Sequence, residues 1–154
     1  MYVSETILNA LRNYCAYQDR CHSEVRTKLL SLQCYGDELE EIIGILIEEK
    51  FLDEERFARS YVRGKFNSLK WGKNKILQQL KFKQISDYCI RKGMEEIDPE
   101  DYYQVMLQLA QKKWDSLHSE KNEWARSQKV VRYLVTKGFE MNLSIEIIND
   151  IEKV

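Results

Sequence analysis

Apolar residues recur along the chain at helical spacing. Leu39, Ile42, Ile43, Leu46 and Ile47 fall at i, i+3, i+4, i+7 and i+8, the stripe that one face of a helix buries. Tyr102, Val105, Met106, Leu109 and Ala110 repeat the pattern, and Tyr103, Leu107 and Trp114 widen the apolar surface. No stretch alternates long enough to predict a strand, and turn signals of the hairpin kind are missing. The pattern predicts an all-α protein.

The helix starts carry more information than the helices. Ser4, Asp53 and Asp98 each offer a side-chain oxygen to the free N–H groups of a first turn, and acidic residues follow each of them. An apolar residue precedes each cap and another lies four positions beyond it: Val3 and Leu8, Leu52 and Phe57, Ile97 and Tyr102. That is the spacing of a hydrophobic staple. Pro99, at the first helical position of the third copy, supports the register.

A second landmark follows each start. Val25, Leu29 and Cys34 are spaced four and five apart, as are Ile76, Leu80 and Ile85, and Val130, Leu134 and Phe139. The chain thus reads as three copies of a unit of about fifty residues, each with a long helix, a second helix, a turn and a third helix. The expected third helices are 37–50, 86–97 and 144–153. Gly138 closes the second helix of the last copy, and Gln33 and Gln84 at the equivalent positions need not be glycine if the helix ends differently there. The predicted fold is an elongated tandem array of three three-helix, helix-turn-helix-like repeats, at 1–52, 53–97 and 98–154. Small three-helix cores gain by stacking in series.

Composition adds little until charge is resolved by position. The 154 residues are 44% apolar and carry a net charge of -1, which gives no reason to expect a protein that is basic all over. No apolar run approaches a membrane span, and the N-terminus lacks a basic start followed by an apolar block. A cytoplasmic location, no membrane contact and a monomer are the expectations. Residues 37–55 are net -8, whereas residues 56–83 hold nine basic and no acidic residues. Arg56, Arg59 and Arg63 recur at i, i+3 and i+7, along one face of a helix. Lys70, Lys73 and Lys75 surround Trp71 in the turn that follows, with Gly64 and Gly72 loosening or turning the chain. Phe66 and Trp71 are expected to anchor this joint to the core. A basic surface of this kind fits either phosphates, with an aromatic ring to stack on a base, or the carboxylates of an acidic protein surface. The alternative is a solvated basic face with no partner.

Candidate chemistry is sparse. The four cysteines Cys15, Cys21, Cys34 and Cys89 show no CxxC pair and read as reduced thiols, mostly in the core. The spacing of Cys15, Cys21, His22 and Cys34 matches no common zinc frame. With two histidines and no phosphate loop, GxSxG or HExxH, no catalytic residue, metal site or cofactor is expected. The sequence points to a binding protein rather than an enzyme.

The stretch "FLDEERFARSYVRGKFNSLKWGKNKILQQLKFKQI", Phe51 to Ile85, resembles the middle repeat of the RecX regulatory proteins. In that family an apolar-Asp-acidic-x-Arg-aromatic-Ala start leads into a basic helix, a Gly-containing turn and an Ile-x-x-x-Leu helix. Asp53, Arg56, Phe57 and Ala58 match the start, and Trp71, Gly72, Ile76 and Leu80 match the turn and second helix. "CHSEVRTKLLSL" and "VVRYLVTKGFE" extend the likeness more loosely, and the third unit departs from it by a longer connection that includes "SLHSEKNEWARSQ". The resemblance implies a regulator of homologous recombination and DNA repair, linked to the SOS response. It would bind the RecA filament on single-stranded DNA, suppress ATP hydrolysis and strand exchange, and favour filament loss. Asp53 and Phe57 already have structural roles as cap and staple, and Arg56 is expected to pair with Glu48, Glu49 or Asp53. The residues expected to touch RecA or DNA are therefore Arg59, Arg63, Lys65, Lys70, Lys73 and Lys75. The competing reading is a helical nucleic-acid-binding module with no RecA target.

Overall fold

The computed structural model describes residues 2–153. Among these it contains nine helices and no strand: α1 Glu5–Tyr17, α2 His22–Ser31, α3 Gly36–Glu48, α4 Glu54–Leu69, α5 Lys73–Phe82, α6 Asp87–Met94, α7 Pro99–Ser116, α8 Glu123–Thr136 and α9 Met141–Ile147. They follow one another as three helical triplets.

The first helix of each triplet begins as its cap dictates. Ser4 accepts from the N–H of Ile7 at 3.3 Å, Asp53 from that of Arg56 at 3.0 Å and Asp98 from that of Asp101 at 3.0 Å. Leu8, Leu52, Phe57, Ile97 and Tyr102, which form the staples with half-buried Val3, are all buried.

The second helices end alike. Gln33, Gln84 and Gly138 all have positive φ, at 61°, 62° and 103°. In each case the next residue donates back to the carbonyl five positions earlier: Cys34 to Leu29 at 3.0 Å, Ile85 to Leu80 at 3.1 Å and Phe139 to Leu134 at 3.0 Å. This is the Schellman ending, with an apolar contact between the same two positions. The landmark spacing therefore has a cause: its second and third members are the two ends of that hydrogen bond, and all are buried. The glutamines end their helices in the same way as the glycine, not in a different one. They adopt the left-handed conformation despite its cost of about 1–2 kcal/mol for a non-glycine residue, offset by the hydrogen bond and the buried residue that follows.

Three further expectations are corrected. The last helix runs Met141–Ile147 rather than 144–153, because the chain tightens into i→i+3 bonds at Asn149 and Asp150. The long third connection shrinks to 117–122, since Asn122 caps α8 by accepting from Ala125 at 3.0 Å and half of the quoted stretch is helix. Gly64 turns nothing: α4 passes through it unbroken, and the structure gives no reason for glycine there.

By contact the chain forms two compact units, one from the chain up to Tyr61 with Leu80–Gly93, the other from Val62–Gln79 with the chain from Met94 onward. The middle triplet is thus shared between them. In the first unit α1, α2 and α3 close on a core that includes Leu11, Val25, Leu29, Ile42 and Leu46, all fully buried. In the second, α7, α8 and α9 close on Met106, Ala110, Trp114, Val130, Leu134 and Phe139. Three of the cysteines are buried, Cys89 is half-buried, and all four are free thiols.

Candidate partner-binding joint in the second unit

The arginines that sequence spacing sets on one face of α4 turn out to hold acidic residues of the chain itself. In the first unit Arg56 donates to Asp19 at 2.9 Å and to the carbonyls of Lys50 and Phe51, both at 3.1 Å. It caps the end of α3 and pairs with Asp19 rather than with Glu48, Glu49 or Asp53. Arg59 pairs with Glu55 at 3.1 Å, one helical turn back. In the second unit Arg63 pairs with Glu96 at 2.6 Å. The anions that relieve this row are internal, so it is not left as an unneutralised surface.

The lysines are organised differently, around the turn between α4 and α5. Lys70 makes that turn, at φ 58°, and its ammonium folds back to the carbonyl of Asn67 at 2.9 Å. Phe66 is buried, as expected of an anchor. Trp71 is half-buried, with the ammonium of Lys65 at 5.0 Å and that of Lys75 at 4.5 Å from its ring centre, both within cation–π range. Lys73 does not reach Trp71. Its main-chain N–H donates to the Tyr102 hydroxyl at 3.0 Å and its ammonium lies 4.7 Å from the centre of the Tyr102 ring.

Tyr102 ties the turn down. Its ring packs between Phe66, at 5.8 Å, and Phe139, at 5.2 Å, and its hydroxyl donates to Glu140. Burial, and then the Glu140 carboxylate, push its pKa well up, so it stays a donor. The backbones touch beside it. Gly72 donates to the carbonyl of Lys137 at 2.8 Å and Asn74 to that of Gly138 at 2.9 Å. A Cβ on Gly72 would meet the backbone of Gly138 and Phe139 at 2.3 Å, which explains the glycine.

This contact brings in a cation that the sequence reading passed over. Lys137 donates to the carbonyl of Leu69 at 2.8 Å. Its pKa is lowered by burial first, then by the charges of Lys75 and Lys70. The only sequence signal for it is its place before Gly138, at the end of α8. The result is a lysine-rich rim in which Lys65 and Lys75 lie over one half-buried indole and Lys70 and Lys137 sit beside Lys75, on a seam closed by backbone hydrogen bonds. Such an arrangement attracts anions and offers an aromatic surface. Among the described residues no group of His, Cys, Asp and Glu is disposed to hold a metal ion, and no helix is long and apolar enough to cross a membrane.

A family model described as "RecX, second three-helix domain" matches residues 53–94, and one described as "RecX, third three-helix domain" matches residues 100–148. Over 126 residues the chain is 30% identical to the regulatory protein RecX of Vibrio vulnificus (strain CMCP6), covering 79% of this chain and 77% of that protein. The chain belongs to the RecX family. It is 34% identical to RecX of Clostridium botulinum (strain Eklund 17B / Type B) over 87% of its own length, but spans only 61% of that relative. Of RecX from Clostridium perfringens (strain 13 / Type A), at 29% identity, it spans 60%. The crystal structure of RecX from Lactobacillus salivarius superposes with a TM-score of 0.88 at 28% identity, covering 97% of this chain and 96% of that one. The all-helical tandem array of three-helix repeats is therefore the RecX fold, and the seam around Gly72 and Gly138 joins parts of its second and third domains.

Proposed function

We propose that this RecX-family chain is a non-enzymatic regulator that binds the RecA filament on single-stranded DNA and lowers its ATPase and strand-exchange activity. Family membership supports the target, since the relatives are named regulatory proteins. The observation that carries the attachment is the lysine rim around Trp71. The mechanism is thermodynamic: a ligand that binds one filament state better than another shifts assembly by that difference. The repeats 1–52, 53–97 and 98–154 act as the functional units, and the chain works as a cytoplasmic monomer. Lys65, Lys70, Lys73 and Lys75, joined by Lys137, make the contacts. Arg59 and Arg63 contribute less, because Glu55 and Glu96 already hold them.

The test is DNA-dependent ATP hydrolysis by RecA in the presence of this protein, beside its binding to single-stranded DNA alone over a salt series. Hydrolysis should fall. Unchanged hydrolysis at concentrations that saturate DNA binding would sink the RecA reading. A steep loss of DNA affinity with salt and no effect on RecA would favour the second reading, a nucleic-acid-binding module, to which Trp71 flanked by two ammonium groups lends support. Charge reversal at Lys70 and Lys75 should weaken inhibition at least about tenfold with helicity kept, as expected for the loss of charge-assisted contacts. Reversal at Arg59 and Arg63 should cost less.

A further inference from the structure

The second helices of the three triplets end on Ser31, Phe82 and Thr136, each two residues before the left-handed turn. Ser31 and Thr136 are small and fold their hydroxyls back onto the helix: Ser31 donates to the carbonyl of Lys28 at 2.6 Å and Thr136 to that of Arg132 at 2.9 Å. Phe82 can do neither, and it is 82% exposed. The helix ending that the other two copies make with a hydroxyl residue therefore gives no reason for an aromatic side chain there. Phe82 lines a groove of about 710 Å³ in the first unit, together with Tyr14 of α1, Thr27 and Lys28 of α2, and Gln84. Two cations of this groove are held by carboxylates, Arg26 by Glu40 at 2.6 Å and Lys83 by Glu24 at 3.4 Å. The Lys28 ammonium is not. It lies 5.5 Å from the centre of the Tyr14 ring, over which the Arg20 guanidinium also sits, at 3.7 Å. Neither Lys28 nor Arg20 meets a carboxylate among the described residues. The groove thus combines a bare aromatic wall with two unneutralised cations on one tyrosine.

We propose that this groove docks an acidic, amphipathic segment of a partner protein, with an apolar side chain covering Phe82 and a carboxylate beside Lys28 and Arg20. Exposed aromatic surface rimmed by polar groups gains by burial against a partner, and the cations left over set the sign of that partner's polar face. A nucleic acid strand fits less well, because it would run phosphates past Glu24 and Glu40 as well as past Lys28. A polypeptide can place one carboxylate and keep its remaining surface neutral. The groove shares no residue with the lysine rim around Trp71, and the proposal does not depend on the partner being RecA.

The experiment uses the full chain and three capped peptides of equal length. The first carries three glutamates and two leucines, the second has glutamines for the glutamates, and the third has serines for the leucines. Binding is followed by the amide resonances of Thr27, Lys28, Phe82 and Gln84. The first peptide should shift these signals and bind about tenfold more tightly than either control, through charge-assisted contacts in one comparison and apolar burial in the other. Phe82→Ser, which installs the residue type that ends α2, should weaken the first peptide about tenfold with helicity unchanged. Lys28→Gln, which keeps most of the stem, should bring the first and second peptides closer together. Binding at the lysine rim instead would leave the affinity of the Phe82→Ser protein unchanged, and that result would overturn the proposal. So would equal binding of the glutamate and glutamine peptides by the unaltered protein, or no shift of the four amides. Tighter binding of decathymidylate than of the first peptide at these same amides would overturn it in favour of a nucleic acid.

Discussion

In the second unit the turn before α5 meets the end of α8 backbone to backbone. In the first unit the corresponding turn before α2 meets the end of α5 through side chains instead. The main-chain N–H of Cys21, the counterpart of Gly72, is taken by its own capping-box partner Glu24 at 3.1 Å. The Ser23 hydroxyl then donates to the carbonyl of Lys83 at 2.8 Å, and the Lys83 ammonium reaches Glu24 at 3.4 Å. Where Gly72 and Gly138 stand, two backbones touch. Where Cys21 and Gln84 stand, side chains bridge the seam, and the groove of about 710 Å³ lined by Thr27, Lys28, Phe82 and Lys83 opens beside it. The same helix ending is joined by backbone hydrogen bonds where glycines stand on both sides and by side chains where Cys21 and Gln84 stand.

The largest effect should come from filling the closed seam. Gly72→Ala places a Cβ 2.3 Å from backbone atoms that have nowhere to move, and Gly138→Ala places one 2.4 Å from the Cβ of Lys75 at a φ of 103°. Each should cost about 3 kcal/mol, read as a lower urea midpoint. Gln84→Ala, at the equivalent and exposed position of the open seam, should change stability by less than about 0.5 kcal/mol. Similar losses at Gly138 and Gln84 would remove the distinction between the seams.

The next effect separates the hydrogen bonds that serve each seam. Tyr102→Phe removes the acceptor of the Lys73 N–H and the donor to Glu140, beside a ring that is 5% exposed, and should cost about 1–3 kcal/mol. Ser23→Ala removes one hydroxyl bond to a carbonyl and should cost about 1 kcal/mol. Amide exchange at Lys73 should speed up in the first variant. A slow Lys73 amide in a folded Tyr102→Phe protein would mean that the tyrosine does not hold the turn.

Local rules make most of the array legible in the amino-acid sequence. Caps, staples and the i, i+4, i+9 landmark each involve residues within one or two helical turns, so the three repeats emerge from residue type alone. The left-handed conformation of Gln33 and Gln84 is not legible in this way, because what holds them is a hydrogen bond and a buried neighbour rather than their own preference. The site is half legible. Positive charge between 56 and 83 is evident in the sequence, but which cations are held internally depends on partners far along the chain. Arg56 meets Asp19 and Arg63 meets Glu96, pairings that no local pattern encodes. Lys137 enters the rim only because two glycines let α8 approach the turn.

Lys137 and Lys83 occupy equivalent places before the two helix endings, and their surroundings yield the smallest of the expected effects. Lys83 has the Glu24 carboxylate; Lys137 has a carbonyl and two neighbouring ammonium groups. Burial and those charges lower the Lys137 pKa in the folded state, so the folded protein loses this proton at a lower pH than the unfolded chain does. Below that folded value the ammonium is charged in both states and its charge opposes folding. As pH rises from there toward the usual lysine range, the unfolded chain binds more protons than the folded one, and stability should rise. The group is largely solvated, so the rise is small. Thermal midpoints compared across this window should show it as a difference between the unaltered protein and Lys137→Met, with the other titrating groups common to both. Lys75→Met should reduce the rise by removing one of the opposing charges. A short polyphosphate that fills the rim should reduce it too, because an anion beside Lys137 favours the charged form. A profile identical in all three proteins would mean that Lys137 is not crowded by its neighbours and that the rim is not a concerted cationic site.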